Sequence, residues 1–270
     1  MSDVFRENLL RGKVAFLTGG TSGIGLGIAV RFAVQGARIA LFGRRPEVLN
    51  AAVEGIRSAG GTAAGWPGDV RDYGAVEAAL GKTREAYGPI DILVCAAAGN
   101  FPAPVTGMSA NGFKAVVDID LLGTFNTCRA AYQHLRKPGA SIISISANHA
   151  SQPYAFQAHV CAAKAGVDLL TRTLAIEWGP DGIRANCITP GPIDETEGMR
   201  RLAPTEEARQ KVIASVPAGR MGSKDDIANL AIFLSTDAAS YITGAVLTCD
   251  GGQSLTGSRN LSGAWQAARR

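Results

Sequence analysis

No stretch of this 270-residue chain is long and apolar enough to span a bilayer, and Met1 to Arg11 carries Asp3, Arg6 and Glu7 where a secretory signal would be apolar. Neither export nor a membrane span is expected, and a cytoplasmic setting follows as the expectation. Cysteine is sparse: Cys95, Cys128, Cys161, Cys187 and Cys249 form no C-x-x-C pair. Their odd number points to free thiols in a reducing compartment instead of a disulfide framework. The three histidines, His134, His149 and His159, lack zinc-ligand spacing, so no metal is expected. A large excess of basic charge is also missing: 27 Lys and Arg against 23 Asp and Glu leave a mild net charge of +4. The basic residues are scattered apart from pairs such as Arg44-Arg45 and Arg269-Arg270, whereas a nucleic-acid binder gathers them on one face. No nucleic-acid or membrane partner is expected; a small anionic ligand is compatible. No repeat or low-complexity linker divides the chain. With 46% hydrophobic and 19% charged residues it reads as one globular domain over 1–270, with a core of about 9–252 and a C-terminal tail, 253–270.

What is present is an alternation of short β-rich runs with helical patterns, the mark of a parallel sheet with crossover helices. Strands are expected at Val14–Thr18, Arg38–Phe42, Thr62–Gly65, Ile90–Cys95, Ser141–Ile145, Ile183–Ile188 and Ala245–Cys249. Helices are expected at Ile24–Gln35, from Pro46, at Asp72–Tyr87, over one long run from about Ser109 to Leu135, and at Ala158–Trp178. Ser223-Lys-Asp-Asp226 has capping-box spacing and opens a helix to Leu234. The fold class is therefore α/β: a Rossmann-like, doubly wound, seven-stranded parallel sheet flanked by helices.

Thr18-Gly19-Gly20-Thr21-Ser22-Gly23-Ile24-Gly25 lies between the first strand and the first helix. Glycines there permit a tight turn and bring backbone up to a pyrophosphate at the helix N-terminus. Gly19, Thr21, Ser22, Gly23, Ile24 and Gly25 are thus candidate nucleotide contacts. After the second strand an acidic residue would hold the ribose hydroxyl of NAD, but Gly43-Arg44-Arg45 offers no carboxylate before Glu47. Arginine suits a 2′-phosphate, so NADPH is the expected cofactor; the plain alternative is two solvated arginines.

The T-G-x-x-x-G-x-G spacing resembles the fingerprint of the short-chain dehydrogenase/reductase family. That resemblance implies that Asp69 and Val70 contact adenine. It also implies that Cys95-Ala96-Ala97-Ala98-Gly99 stands where the family has N-N-A-G, and that Pro190, Gly191 and Ile193 flank the nicotinamide with Thr196 on its amide. Four residues normally converge at the catalytic centre: Asn, Ser, Tyr and Lys. Only Lys164 remains. Asp120 replaces the asparagine, Ala147 the serine and Val160 the tyrosine.

The segments Cys95–Phe101, Val117–Asn126, His159, Ala175–Pro180 and Pro190–Gly198 are similar to 2,4-dienoyl-CoA reductases, especially the peroxisomal type, which also lacks the tyrosine. Resemblance runs from about Leu9 to Gly252. It implies an acyl-CoA substrate and catalysis by Asp120 and Lys164. It also implies a homotetramer packed through the Ser109–Leu135 and Ala158–Trp178 helices, and a mobile lid at Glu195–Arg209. Hydride attack at the far end of a dienoyl thioester gives a dienolate that is protonated on carbon, so no acid need protonate a ketone. A water held by Asp120 would supply the proton, and Lys164 would hold the cofactor ribose and stabilise negative charge. A nearby ammonium favours the charged carboxylate, so Asp120 is read as orienting water. The expected product is a trans-3-enoyl-CoA. A reductase of another enoyl-CoA or enone, and a non-catalytic nucleotide-binding protein, stay open.

Candidate substrate residues are Asn100, Phe101, His149, His159 and Met199, with Asn148 after the fifth strand and Tyr154 on a loop as further possibilities. For His159 a structural hydrogen bond at the helix start is the favoured reading, and His134 is placed at the surface. Arg200 and Arg201 are read as CoA-phosphate contacts or solvated side chains. The final residues lack a Ser-Lys-Leu peroxisomal signal, consistent with the cytoplasmic expectation.

Overall fold

Apolar runs closed by glycine or proline become strands because burial on both faces rewards continuous Val, Ile, Leu and Phe. In the computed structural model, which describes residues 5–256, the strands are β1 (Val14–Thr18), β2 (Arg38–Gly43), β3 (Thr62–Pro67), β4 (Ile92–Cys95), β5 (Ser141–Ile145), β6 (Arg184–Pro190) and β7 (Val246–Cys249). All pair in parallel, in the order β3-β2-β1-β4-β5-β6-β7. Strand order reverses between β1 and β4, and a crevice opens at such a switch point beyond the carboxyl ends of the strands.

Helices α1 (Gly23–Val34), α2 (Pro46–Ser58) and α9 (Lys224–Leu234) cover one face. Helices α3 (Tyr73–Tyr87), α5 (Gly123–Ala131) and α6 (Ala158–Trp178) cover the other. Phe16, Phe32 and Phe42 have no exposed surface; emptying one such site to Ala costs about 3–5 kcal/mol. Asp72 caps α3 by accepting from Ala75 N at 3.1 Å. At α9 the capping box forms in full: Ser223 accepts from Asp226 N at 3.2 Å, and Asp226 accepts from Ser223 N at 2.7 Å.

Several boundaries shift from expectation. β3 and β6 run further, to Pro67 and Pro190, and β7 starts at Val246. Ile90 makes only an isolated bridge, to Leu135, so β4 begins at Ile92. The larger correction is the expected continuous Ser109–Leu135 helix. It is instead α4 (Ala110–Val117), a π-helical turn at Asp118–Leu122, and α5, which stops at Ala131. A π turn inserts one residue, rotates the helix downstream of it and is concentrated at functional sites. The expected lid contains α7 (Glu197–Leu202) and the start of α8 (Glu206–Ser215), tied down by Arg209 on Asp194 at 2.9 Å and Lys224 on Glu195 at 3.3 Å. His134 lies at the surface but is half-buried, with its Nδ1 enclosed and unpaired and its Nε2 at 3.4 Å from Gln133 Nε2. The tail beyond Thr256 lies outside the described residues.

Candidate active site

A cavity of about 470 Å³ occupies the crevice, and backbone forms one end of it. Gly19 holds φ +68°, and a Cβ there would sit 2.4 Å from the Ala96 carbonyl. A Cβ on Gly25 would sit 2.3 Å from Gly19 O. Neither position admits another residue, which is why glycine stands at both. Ser22 opens α1 without a side-chain cap, so the first-turn N–H groups face the cavity unspent. Arg44 and Arg45 line the same end, are exposed, and form no ion pair among the described residues. A cradle closed to side chains, a free helix N-terminus and two unpaired guanidiniums fit a phosphate-bearing dinucleotide.

The other end is built from side chains. β5 delivers Ile145, Ser146 and Ala147 to the rim, and α6 presents Lys164 one turn after Val160. Lys164 is 6% exposed and donates to Ile145 O at 3.0 Å. Its Nζ lies 3.2 Å from Asp120 Oδ2. Asp120, 1% exposed, sits at the middle of the π turn, where Oδ1 accepts from Gly99 N at 2.7 Å and its own carbonyl accepts from Thr124 Oγ1 at 2.6 Å. The Lys164 geometry makes an ion pair with Oδ2 but not a hydrogen bond, so that oxygen keeps an open acceptor position. Val160 is buried and Ala147 carries no hydroxyl, so neither holds a proton.

The structure gathers most expected contacts. Gly19, Thr21, Ser22, Gly23, Ile24, Gly25, Val70, Ala96, Ala97, Pro190, Gly191, Ile193 and Thr196 all line the cavity with Lys164, as do Asn100 and Met199. Thr196 also caps α7, donating to Ile193 O at 2.8 Å and accepting from Met199 N at 3.3 Å. Asp69 is outside the lining, its carboxylate clamped by Arg71 at 3.0 and 2.7 Å and thereby held below the ordinary range. Asp120, Phe101, His149 and His159 are outside it too, Asp120 lying behind the lining and joined to it by its ion pair with Lys164. His149 stacks on Tyr154 with ring centroids 4.1 Å apart, and burial, then the Lys164 charge, lower its pKa. Tyr154 does not reach the cavity. His159 corrects its expectation: it is fully buried edge-on to Phe101 at 4.5 Å, and neither ring nitrogen has a hydrogen-bond partner. Arg200 and Arg201 both bind Glu197, at 3.1 and 2.9 Å. Ser146, Ile119 and Gly68 line the cavity although sequence reasoning passed over them; Gly68, just before Asp69-Val70, was the one with a visible signal. Among the described residues no cluster could hold a metal and no helix is long and apolar enough to cross a membrane. All five thiols are free.

Residues 19–254 match the family described as Enoyl-(Acyl carrier protein) reductase. The chain belongs to the short-chain dehydrogenase/reductase family. Within it, the chain is 45% identical to a peroxisomal 2,4-dienoyl-CoA reductase of Arabidopsis thaliana, named as (3E)-enoyl-CoA-producing, over 97% of this chain and 91% of that protein. It is 42% identical to a probable 2,4-dienoyl-CoA reductase of Bacillus subtilis, named as (2E)-enoyl-CoA-producing, over 90% of this chain and 97% of the relative. A solved short chain dehydrogenase of Bacillus anthracis superposes with TM-score 0.81 at 39% identity, covering 90% of this chain and 96% of that one.

Proposed function

We propose that the protein is an NADPH-dependent 2,4-dienoyl-CoA reductase that yields a trans-3-enoyl-CoA. The observation that carries this reading is the buried Asp120–Lys164 pair in a centre where Val160 and Ala147 replace the tyrosine and serine. A ketone reductase needs an acid at the carbonyl oxygen, and neither position supplies one. A dienolate needs only a cation near its oxygen and a proton source near carbon.

The cofactor, when bound, supplies the hydride. Arg44 and Arg45 would clamp its 2′-phosphate, and the Gly19–Gly25 turn its pyrophosphate. Lys164, fixed by Ile145 O, would hold the ribose hydroxyls and offset charge on the thioester oxygen, an interaction strengthened by burial. Asp120 Oδ2 would accept a hydrogen bond from water and orient that water toward the substrate carbon. Ion-paired with Lys164, Asp120 would position the water instead of acting as the acid. Asn100 and Met199 would border the acyl group. Exposed Phe113, Phe125, Leu169 and Ile176 on α4, α5 and α6 support a homotetramer closed through those helices.

The test is NADPH and NADH oxidation by the purified protein with trans-2,trans-4-decadienoyl-CoA, with the product identified by NMR. The proposal expects turnover with NADPH and a double bond at carbon 3. Absence of turnover despite NADPH binding would refute the activity; a carbon-2 double bond, as in the name of the Bacillus relative, would refute the product.

A further inference from the structure

A polar seam runs from Lys164 along the inner face of α6, and neither cofactor binding nor the Asp120–Lys164 pair uses it. Side chains two apart on a strand share a face. Ser144 Oγ receives Thr171 Oγ1 of α6 at 3.0 Å, so Ser144, and Ser146 beyond it, face α6 from β5. On β6, Cys187 shares Thr171 and Asp168 as side-chain neighbours, and burial pushes its thiol up to about 12. Thr189, two residues on, therefore faces α6 as well. The register pairs Ile145 with Ile188, and Ser146 N donates to Ile188 O at 2.8 Å, which puts Ser146 beside Thr189 at the strand ends. Asp168 lies one helical turn beyond Lys164.

Ser146 is 2% exposed and Thr189 4%, yet Ser146 Oγ and Thr189 Oγ1 have no hydrogen-bond partner in the protein. Asp168 Oδ1 is equally enclosed and unpaired, although the residue as a whole is partly open to solvent. Ser146 and Lys164 both line the cavity. Buried hydroxyls and carboxylates are nearly always paired, and each left unmade costs about 1–3 kcal/mol. Ser146 opens on the cavity, where water has room; Thr189 and Asp168 lie outside its lining, and the water that would complete them belongs to the seam itself.

We propose that this seam returns protons to the active site, from Asp168 through Thr189, Ser146 and interleaved water to Lys164 and the water oriented by Asp120. The inference rests on the dienoyl reductase reading. That reaction adds one hydride and one proton to the substrate while the nicotinamide is oxidised. When carbon takes the proton, an O–H bond of the oriented water breaks and hydroxide remains; one proton from solvent restores it. With Asp120 1% and Lys164 6% exposed, that proton needs a path.

The experiment is single-turnover and steady-state kinetics of full-length Ser146→Ala, Thr189→Val and Asp168→Asn with NADPH and decadienoyl-CoA, in water and in deuterium oxide, beside Ser146→Thr and melting curves. The seam predicts that kcat falls about tenfold in each of the three with KM unchanged. It also predicts a larger solvent isotope effect, activity kept by Ser146→Thr, and a melting temperature for Ser146→Ala that holds or rises. Wild-type rates and isotope effects in all three variants would overturn the proposal. So would rate and melting temperature falling together without recovery in Ser146→Thr, which marks a packing role. In either case turnover by the unaltered protein leaves the dienoyl reading standing; no turnover by the unaltered protein would overturn both.

Discussion

Two aspartates are buried beside cations at opposite edges of the same sheet, and they differ in what is left over. At the N-terminal edge Asp91, 3% exposed, accepts from Val14 N at 2.8 Å and Arg136 Nε at 2.5 Å, with Lys13 at 3.7 Å. Each of its oxygens has a donor. At the C-terminal edge Asp120, 1% exposed, has one oxygen bonded by Gly99 N, and the other lies 3.2 Å from Lys164 without a hydrogen bond. Residue type, burial and charge of the partner are alike in both. A completed carboxylate fastens β1 to β4, whereas an incomplete one, paired with a lysine that lines the cavity, has an acceptor position left to hold and orient a small molecule. On the proposed reading, function follows from unsatisfied valence more than from burial.

The comparison can be broken at four points. Lys164→Ala removes the cation over the developing charge and should lower kcat/KM for decadienoyl-CoA by at least about 10³, or about 4 kcal/mol, while far-UV circular dichroism stays native. Asp91→Ala leaves Val14 N and Arg136 without their acceptor and should cost about 3 kcal/mol in urea unfolding, with kcat of the folded fraction unchanged. Arg44→Ala with Arg45→Ala should weaken NADPH by about 10- to 100-fold, consistent with about 1.5–3 kcal/mol for a charged hydrogen bond, and leave NADH binding as it was; calorimetric titration of both nucleotides decides. Asp226→Ala, at a fully satisfied surface carboxylate, should cost about 1 kcal/mol, the usual worth of a helix cap. The Arg220 guanidinium holds the Asp226 carboxyl well below the ordinary range, outweighing partial burial. A depressed folded pKa gives stability that is full above the unfolded value of 3.8 and is lost as pH falls below it. Wild-type protein should therefore keep its advantage over Asp226→Ala from neutral pH down to about pH 4 and lose it progressively as the pH falls further.

Much of the fold was legible because strands buried on both faces leave continuous apolar runs, and the helix bearing Lys164 has the bounds its pattern gave, Ala158–Trp178. The nucleotide cradle was legible for a similar reason: only glycine fits where a Cβ would strike the Ala96 carbonyl. The π turn was not. Asp118-Ile-Asp-Leu-Leu122 has helical periodicity, and one inserted residue changes where Asp120 points without changing which residues look apolar. His159 misled because a buried imidazole ordinarily finds a partner, and this one has none. Ser146, Thr189 and Asp168 come to one layer only through the register of β5 on β6 and the packing of α6, relations that residue spacing along the chain does not contain.

The central claim is that the unfinished Asp120 carboxylate, next to Lys164, does the work of the missing tyrosine. Its most direct test is single-turnover NADPH oxidation with decadienoyl-CoA by wild-type protein and Asp120→Asn, alongside NADPH affinity and melting temperature. The account predicts a rate lower by about 10³, the size expected for a lost group in transition-state stabilisation, with cofactor affinity intact and the melting temperature within a few degrees. A wild-type rate in Asp120→Asn would contradict it.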